Sequence, residues 1–379
     1  MTGAPLLLHV FPTFRVGGSQ VRFAAIANHL AGKYQHAIVA MDGAYDCFDR
    51  LSPAVDAQRW DVPAAKRNTL GNVRAFRRIL RARKPDLLIT YNWGAIEWAL
   101  ANRPRLVPHI HIEDGFGPEE VERQMLRRVL TRRFALAKST VVLPSRTLYR
   151  VALDRWRLPP DHVRHIPNGI DLARFSTGCE PIAVPPGAGP VIGTVAVLRP
   201  EKNIGRLLRA FASGREKTAC RLVIAGDGAE RTQLEALARQ LLPEGSYVFI
   251  GQIDAVERVY GALDIFALSS DTEQMPTSLM EAMAAGLPVV STDVGDVMDI
   301  VAAQNRPFVV PREGRQFAET LCRLATDEES RPSIGAANRA AAGARFGIAR
   351  MFSDHDTLFS SLLNSGGANP APRWVSPAA

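Results

Sequence analysis

Glu273 and Glu281 lie within one stretch, DTEQMPTSLMEAMAAGLPVVSTDVGD (271–296), with Pro276, Thr277 and Ser278 between them. A proline suits the first turn of a helix, where its missing N–H has no intrahelical partner to lose. Thr277 and Ser278 are small and polar, so a ligand can approach the N–H groups of that turn. A helix N-terminus reached in this way holds an anion, because unpaired donors and the macrodipole both favour negative charge. Thr277 and Glu281 share a face. At about 1.5 Å of rise per residue, Glu281 lies about a turn and a half beyond the anion position. That separation suits a hydroxyl-bearing group attached to a bound phosphate. The arrangement suggests a nucleotide diphosphate whose ribose meets Glu281 and whose other end meets Glu273. RPEKN (199–203) adds Arg199 and Lys202 on the loop after a buried run, and two cations there can neutralise a diphosphate.

The Glu273-x7-Glu281 pair, followed by EAMAAGLPVVSTDVG (281–295) with Gly286, Pro288 and Gly295 as punctuation, resembles the signature of the retaining glycosyltransferases of family 4. Those enzymes carry two Rossmann-like domains in the arrangement called GT-B. The resemblance implies a nucleotide-diphosphate sugar as donor substrate, with no metal and no separate cofactor, and an acceptor hydroxyl that attacks from the front face. It places Met275, Pro276, Thr277, Ser278 and Leu279 against the donor, with Glu281 on the ribose and Glu273 on the sugar. It also implies that Arg199 and Lys202 stabilise the leaving diphosphate. Gln274 and Met275 stand where Gly-Phe or Gly-Leu is usual, which bears on sugar specificity.

Two weaker matches lie in the first half. GGSQVRF (17–23) is similar to the family's glycine loop, whose backbone is implied to contact the donor phosphates, so Gly17 and Gly18 are substrate-binding candidates. HIHIEDGFG (109–117) ends a strand in polar groups, and the family is implied to carry a His or Asp there, near the transferred sugar. His111, Glu113 and Asp114 all qualify, and the register leaves the choice open. His-x-Glu also occurs in zinc deaminases, but the Pro-Cys-x-x-Cys partner they require is missing. SDHD (353–356) contains a literal Asp-x-Asp, yet it sits in a helical pattern around Met351, Phe352, Leu358 and Leu362 rather than after a strand.

These side chains need a scaffold. LLLHVF (6–11), HAIVAM (36–41), LLITYN (87–92), PHIHIED (108–114) and TVVLPS (140–145) alternate with helical segments, as in a parallel sheet covered by helices. VIGTVAVL (191–198), RLVIAGDG (221–228), YVFIGQI (247–253), DIFALSS (264–270) and PVVSTDV (288–294) restart the pattern, with helices at about 203–213, 229–241 and 254–262. The expected fold is α/β: two Rossmann-like doubly wound parallel-sheet domains facing a cleft. The first, acceptor-side domain spans 1–178, with VRHIPNGIDLARF (163–175) leading out of it, and CEPIAVPPGAGP (179–190) is a linker. The nucleotide-sugar domain is 191–345, a C-terminal helix over 346–364 crosses back to the first domain, and 365–379 is a disordered tail.

At 379 residues, 46% hydrophobic and 22% charged, the chain has room for two soluble domains. No apolar run approaches the ~18 residues of a membrane helix. Cys47, Cys179, Cys220 and Cys322 are scattered, as reduced thiols are, and the N-terminus lacks a basic leader region, so a cytoplasmic location is expected. Residues 1–170 hold 26 Lys and Arg against 14 Asp and Glu, although the whole chain is only +8. That excess points to an anionic partner, and an anionic membrane surface at the inner face of the envelope is favoured over nucleic acid. Arg74, Arg77, Arg78, Arg81, Arg83 and Lys84 surround Phe76, Ile79 and Leu80. Arg123, Arg127, Arg128, Arg132 and Arg133 accompany Met125, Leu126, Val129, Leu130 and Phe134. Each helix either packs its apolar stripe and solvates its arginines or lies on a membrane. The function expected is transfer of a sugar to a saccharide or lipid-linked acceptor in envelope polysaccharide or glycolipid synthesis. A nucleotide-sugar epimerase or phosphorylase on this scaffold, or a non-catalytic polyanion-binding protein, are the alternatives.

Overall fold

Two parallel sheets account for the alternation of apolar runs and helical segments. A computed structural model describes residues 3–65, 68–116, 120, 124–176, 180–215 and 218–364. Arg123, Gly117, Cys179 and the expected tail 365–379 lie outside the described residues. The chain divides into two compact units, Met1–Pro167 with Ala349–Ala379, and Asn168–Ile348.

In the first unit β1 (Leu6–Phe11), β2 (Gln35–Ala40), β3 (Asp56–Arg59), β4 (Leu87–Tyr91), β5 (His109–Ile112), β6 (Thr140–Leu143) and β7 (Val163–His165) form one sheet. Their order is β3-β2-β1-β4-β5-β6-β7 and every pairing is parallel. Helices cover both faces, so Leu7, Leu8, Val10 and Phe11 are fully buried and β1 reads as a continuous apolar run. The order turns back between β1 and β4, and the loops leaving these strands diverge there, which opens a crevice at their C-terminal ends. Three of the four residues of β3 are exposed. An edge strand of that kind has no apolar signal to read.

The two arginine-rich helices differ in what they bury. Along Thr69–Arg83, Phe76 and Leu80 are covered, and Phe76 stacks on Trp98 with ring centroids 4.5 Å apart. Arg74, Arg78, Arg81, Arg83 and Lys84 face solvent. This is the packed-stripe arrangement. Along Leu126–Leu136 the polarity is partly reversed: Arg132 is fully buried while Leu126, Leu130 and Phe134 are exposed.

The last helix, Ile348–Asn364, packs on the first unit. Phe352 stacks on His29, and Asp356 accepts from Lys33 Nζ at 2.5 Å and Tyr34 OH at 2.8 Å. That engagement gives the Asp356 of SDHD a structural partner.

The second unit begins earlier than the Pro/Gly-rich 179–190 segment. Ile170 N–H donates to Phe346 O at 2.8 Å, Ile348 N–H donates to Ile170 O at 2.9 Å, and Arg174 pairs with Glu257 at 2.6 Å. These bonds draw 168–176 away from the first domain, where the sequence reading had put them. β8 (Val191–Val195), β9 (Arg221–Ala225), β10 (Tyr247–Gly251), β11 (Ile265–Leu268), β12 (Val289–Thr292) and β13 (Val309–Val310) form a sheet ordered β10-β9-β8-β11-β12-β13, again parallel throughout. Its turn-back point lies between β8 and β11. Among the described residues no helix is long and apolar enough to cross a membrane.

Candidate functional site

Because β8 and β11 are neighbours, the loops that leave them share one end of the sheet. The loop after β8 carries Arg199 and Lys202, and the loop after β11 carries Glu273. Lys202 Nζ lies 2.6 Å from Glu273 Oε1, which also accepts from Ser270 Oγ at 2.7 Å. The pair is largely covered, with side-chain exposures of 25% and 10%. Arg199 is 62% exposed, and its carboxylate neighbour, Glu201, is 4.0 Å away. One cation is therefore fixed and the other extends into solvent.

The fixing is done by residues that the sequence pattern did not single out. Ser269 Oγ donates to Lys202 O at 3.1 Å, and Asp271 N–H donates to Glu201 O at 2.8 Å. Arg206 donates to Ser269 O and to Asp271 Oδ1, each at 2.6 Å, and Asn203 Nδ2 donates to Asp271 Oδ2 at 3.0 Å. From the other side, Asp296 N–H donates to Gln274 O at 3.0 Å. Gly295 stands at φ +57°, and a Cβ there would lie 2.5 Å from Glu273 O, so only glycine lets the two loops meet. Gly226 of AGDG works in the same way. At φ +129° its absent Cβ would fall 1.8 Å from Ala196 O, on the segment leading to Arg199. AGDG is thus a packing turn.

The helix after Glu273 spans Thr277–Ala284, and Pro276 is its N-cap rather than its first helical residue. Proline offers no side chain to cap the first turn, so the N-terminal N–H groups face the loop beside exposed Thr277 and half-buried Ser278. Met275 and Leu279 are buried, and Asn168 N–H points at Met275 Sδ, 3.3 Å away. Their side chains therefore serve the core; what they can offer a ligand is backbone.

Glu281 lies one turn along the same face, half-buried, and Tyr260 OH donates to its Oε2 at 2.8 Å. Burial pushes the Glu281 carboxyl up to about 7, against the pull of the Tyr260 hydrogen bond and of Arg174. Tyr260 is buried and its phenol is raised well above its usual range, so it stays a donor. Tyr260 comes from the end of the short helix Val256–Tyr260, and nothing local in the sequence marks it.

In the first unit Gly17 is the N-cap of the helix Gly18–His29, on the loop after β1. A Cβ on Gly18 would meet nothing within 4 Å, and one on Gly17 would meet chiefly the flexible end of Gln20. Internal packing does not require a glycine at position 18, which leaves open backbone at a helix start. The three candidates near β5 separate by burial. His111 is fully buried, with Nδ1 2.8 Å from Thr90 Oγ1 and Nε2 3.2 Å from Glu113 Oε2. Glu113 is equally buried and lies 3.4 Å from Arg132 Nε, and Arg132 reaches Glu120 at 3.1 Å, as does Arg128 at 3.0 Å. These groups form an interior chain, so His111 and Glu113 differ from Asp114 in access, and Arg128 and Arg132 are not the surface cations that the sequence reading made of them. Asp114 is the one at the surface. It is half-buried, its N–H donates to Asn92 Oδ1 at 2.8 Å, and its carboxylate forms a two-point pair with Arg22 at 2.6 and 3.0 Å.

Residues 182–341 match the family model for glycosyl transferases group 1, and residues 16–174 match that for glycosyltransferase family 4. The chain belongs to glycosyltransferase family 4. Among its relatives is a GDP-mannose-dependent alpha-mannosyltransferase of Mycobacterium tuberculosis, 30% identical over 147 residues that make up 38% of this chain and 37% of the relative. Relatives at 30% identity or more are matched over about half their length or less. A 2-deoxystreptamine N-acetyl-D-glucosaminyltransferase of Streptomyces fradiae is 27% identical over 94% of both chains. The fold of this family 4 chain is GT-B: the crystal structure of Anabaena HepE in complex with UDP superposes with a TM-score of 0.77 at 18% identity, covering 94% of this chain and all of that one.

Proposed function

We propose that this protein is a retaining, metal-independent glycosyltransferase that moves a sugar from a nucleotide-diphosphate sugar to an acceptor hydroxyl. The observation that carries the reading is the Lys202–Glu273 pair beside the N-terminus of Thr277–Ala284. A fixed cation, an extended Arg199 and a helix end converge on one place, which is what a leaving diphosphate demands. Glu281 holds the ribose, Glu273 contacts the donor sugar, and backbone at Gly17 and Gly18 contacts the phosphates. In the first unit Asp114, the accessible member of its trio, is the candidate for contact with the transferred sugar. The acceptor hydroxyl attacks from the face the diphosphate leaves, and the diphosphate takes its proton, so no side chain acts as nucleophile.

The relative named for GDP-mannose supports the donor class. An acceptor of saccharide or lipid-linked type, used in envelope polysaccharide or glycolipid synthesis on the cytoplasmic side, fits the basic first unit. The deciding experiment is hydrolysis and transfer across a panel of nucleotide sugars, with the anomeric configuration of the product read by NMR. Retention of configuration is expected with one or a few donors. An inverted product, or no turnover of any donor, overturns the reading.

A further inference from the structure

On the helix Leu126–Leu136 of the first unit, Leu126 is 72% exposed, Leu130 53% and Phe134 59%. Steps of four residues put the three on one stripe. The other face of the helix is the buried one, with Arg132, Ala135 and Leu136. Exposed Arg127 and Arg133 flank the stripe.

At the Phe134 end lies a cavity of about 320 Å³ whose lining includes Arg103, Arg105, Phe134 and Lys138, with buried His109 and Ser139. Among the described residues no carboxylate lines it. The Arg103 guanidinium lies 4.5 Å from the Phe134 ring centre, and its Nη1 is buried with no acceptor among the described residues. His109 and Ser139 satisfy each other at 2.7 Å, and burial holds the His109 imidazole well below its usual range. Three cations with no counter-charge in the cavity lining among the described residues thus adjoin a run of bare apolar side chains.

We propose that this face docks the protein on an anionic phospholipid surface. Leu126, Leu130 and Phe134 enter the interface, and the cavity takes a headgroup phosphate between Arg103, Arg105 and Lys138. A free phosphate would leave the apolar stripe unused. A helix with an apolar face and cationic flanks instead lies in the plane of a lipid interface, and the excess of Lys and Arg in this half of the sequence favours an anionic one. The helix carries the chain from the C-terminal end of β5 to the start of β6. Leu126 therefore lies toward the Asp114 end of the unit and Phe134 toward the cavity, about 12 Å apart along the axis at ~1.5 Å per residue. That placement would bring a lipid-linked acceptor to the strand ends, and only this last link rests on the acceptor class proposed above.

The test mixes the full chain with vesicles of phosphatidylcholine alone or with phosphatidylglycerol, and pellets them. Wild type is expected to sediment with the anionic vesicles, less as salt rises, and to stay in solution with the neutral ones. Leu130→Ser/Phe134→Ser and Arg105→Ala/Lys138→Ala should each lower vesicle affinity at least tenfold, and the second should flatten the salt dependence. Both should keep the wild-type melting temperature, since the altered side chains are exposed. Donor turnover, followed on the same samples, reports the transferase reading separately. Equal sedimentation of wild type and both variants overturns the proposal. So does binding of inorganic phosphate or glycerol phosphate by protein that ignores vesicles, or a dimer in light scattering that the Leu130/Phe134 variant abolishes.

Discussion

Lys202 and Glu273 meet at 2.6 Å across 71 positions of sequence, because the strands before them are neighbours in the sheet. The contact ties the two loops that the leaving diphosphate is proposed to bridge. Lys202→Ala strips Glu273 of its cation and the diphosphate of a charged donor. A hydrogen bond of that kind contributes about 1.5–3 kcal/mol, so kcat/KM should fall tenfold or more. Arg199→Ala should cost a similar factor with no change in melting temperature, since Arg199 is 62% exposed. A wild-type rate in either variant removes that residue from the mechanism.

Glu281 gives the nucleotide site a pH dependence of definite sign. A ribose hydroxyl donates, so binding draws on the ionised carboxylate, and burial has pushed that group up to about 7. Affinity for a nucleotide sugar should therefore weaken as pH falls through about 7, approaching tenfold per unit below it. Glu281→Gln should flatten the profile and weaken binding throughout. Tyr260→Phe removes a hydrogen bond that holds the carboxyl down, so its profile should move to higher pH. Titration calorimetry across the range reads all three, and a flat wild-type profile would detach Glu281 from the ribose.

If two cations and a helix N-terminus hold the diphosphate as proposed, the transfer should require no divalent ion. EDTA should leave turnover largely unchanged. Loss of activity restored by Mg²⁺ or Mn²⁺ would return attention to Asp354 and Asp356, although Asp356 is already held by Lys33 and Tyr34.

What could be read from the sequence follows from how local each feature is. Buried parallel strands are continuous apolar runs, so both sheets and their alternation with helices were visible. β3 was not, because its exposed residues have no apolar period, and neither were β7 and β13, which span three and two residues. Glu273, Glu281, Arg199 and Lys202 stand in recognisable motifs. Arg206, Asn203, Asp271 and Tyr260, which hold them, are placed by strand order and carry no local signature. The two basic helices read alike because composition does not tell which face of a helix is covered. Only the packing of Phe76 on Trp98, against the burial of Arg132, separates them.

The last prediction sorts the trio at β5, which differ in burial rather than in chemical class. Glu113 is interior, and with His111, Glu120 and Arg132 it forms a chain of charged and polar groups. Its second oxygen, Oε1, is buried with no hydrogen-bond partner among the described residues. Glu113→Gln weakens the compensation of a fully buried guanidinium, and losing one partner of a buried pair costs about 3 kcal/mol or more. Glu120 remains on Arg132, which argues for the lower end of that range. The variant should therefore lose urea stability first, and activity only in proportion to the protein unfolded. Asp114 is half-buried, and Arg22 already orients its carboxylate from two points. Asp114→Asn keeps the shape and removes the charge; the pair with Arg22 is largely covered, so stability should fall by about 1–3 kcal/mol. Transfer should fall at least tenfold while nucleotide affinity stays near wild type. If Asp114→Asn transfers normally and Glu113→Gln is inactive at full stability, the assignment is reversed and the buried chain belongs to the chemistry.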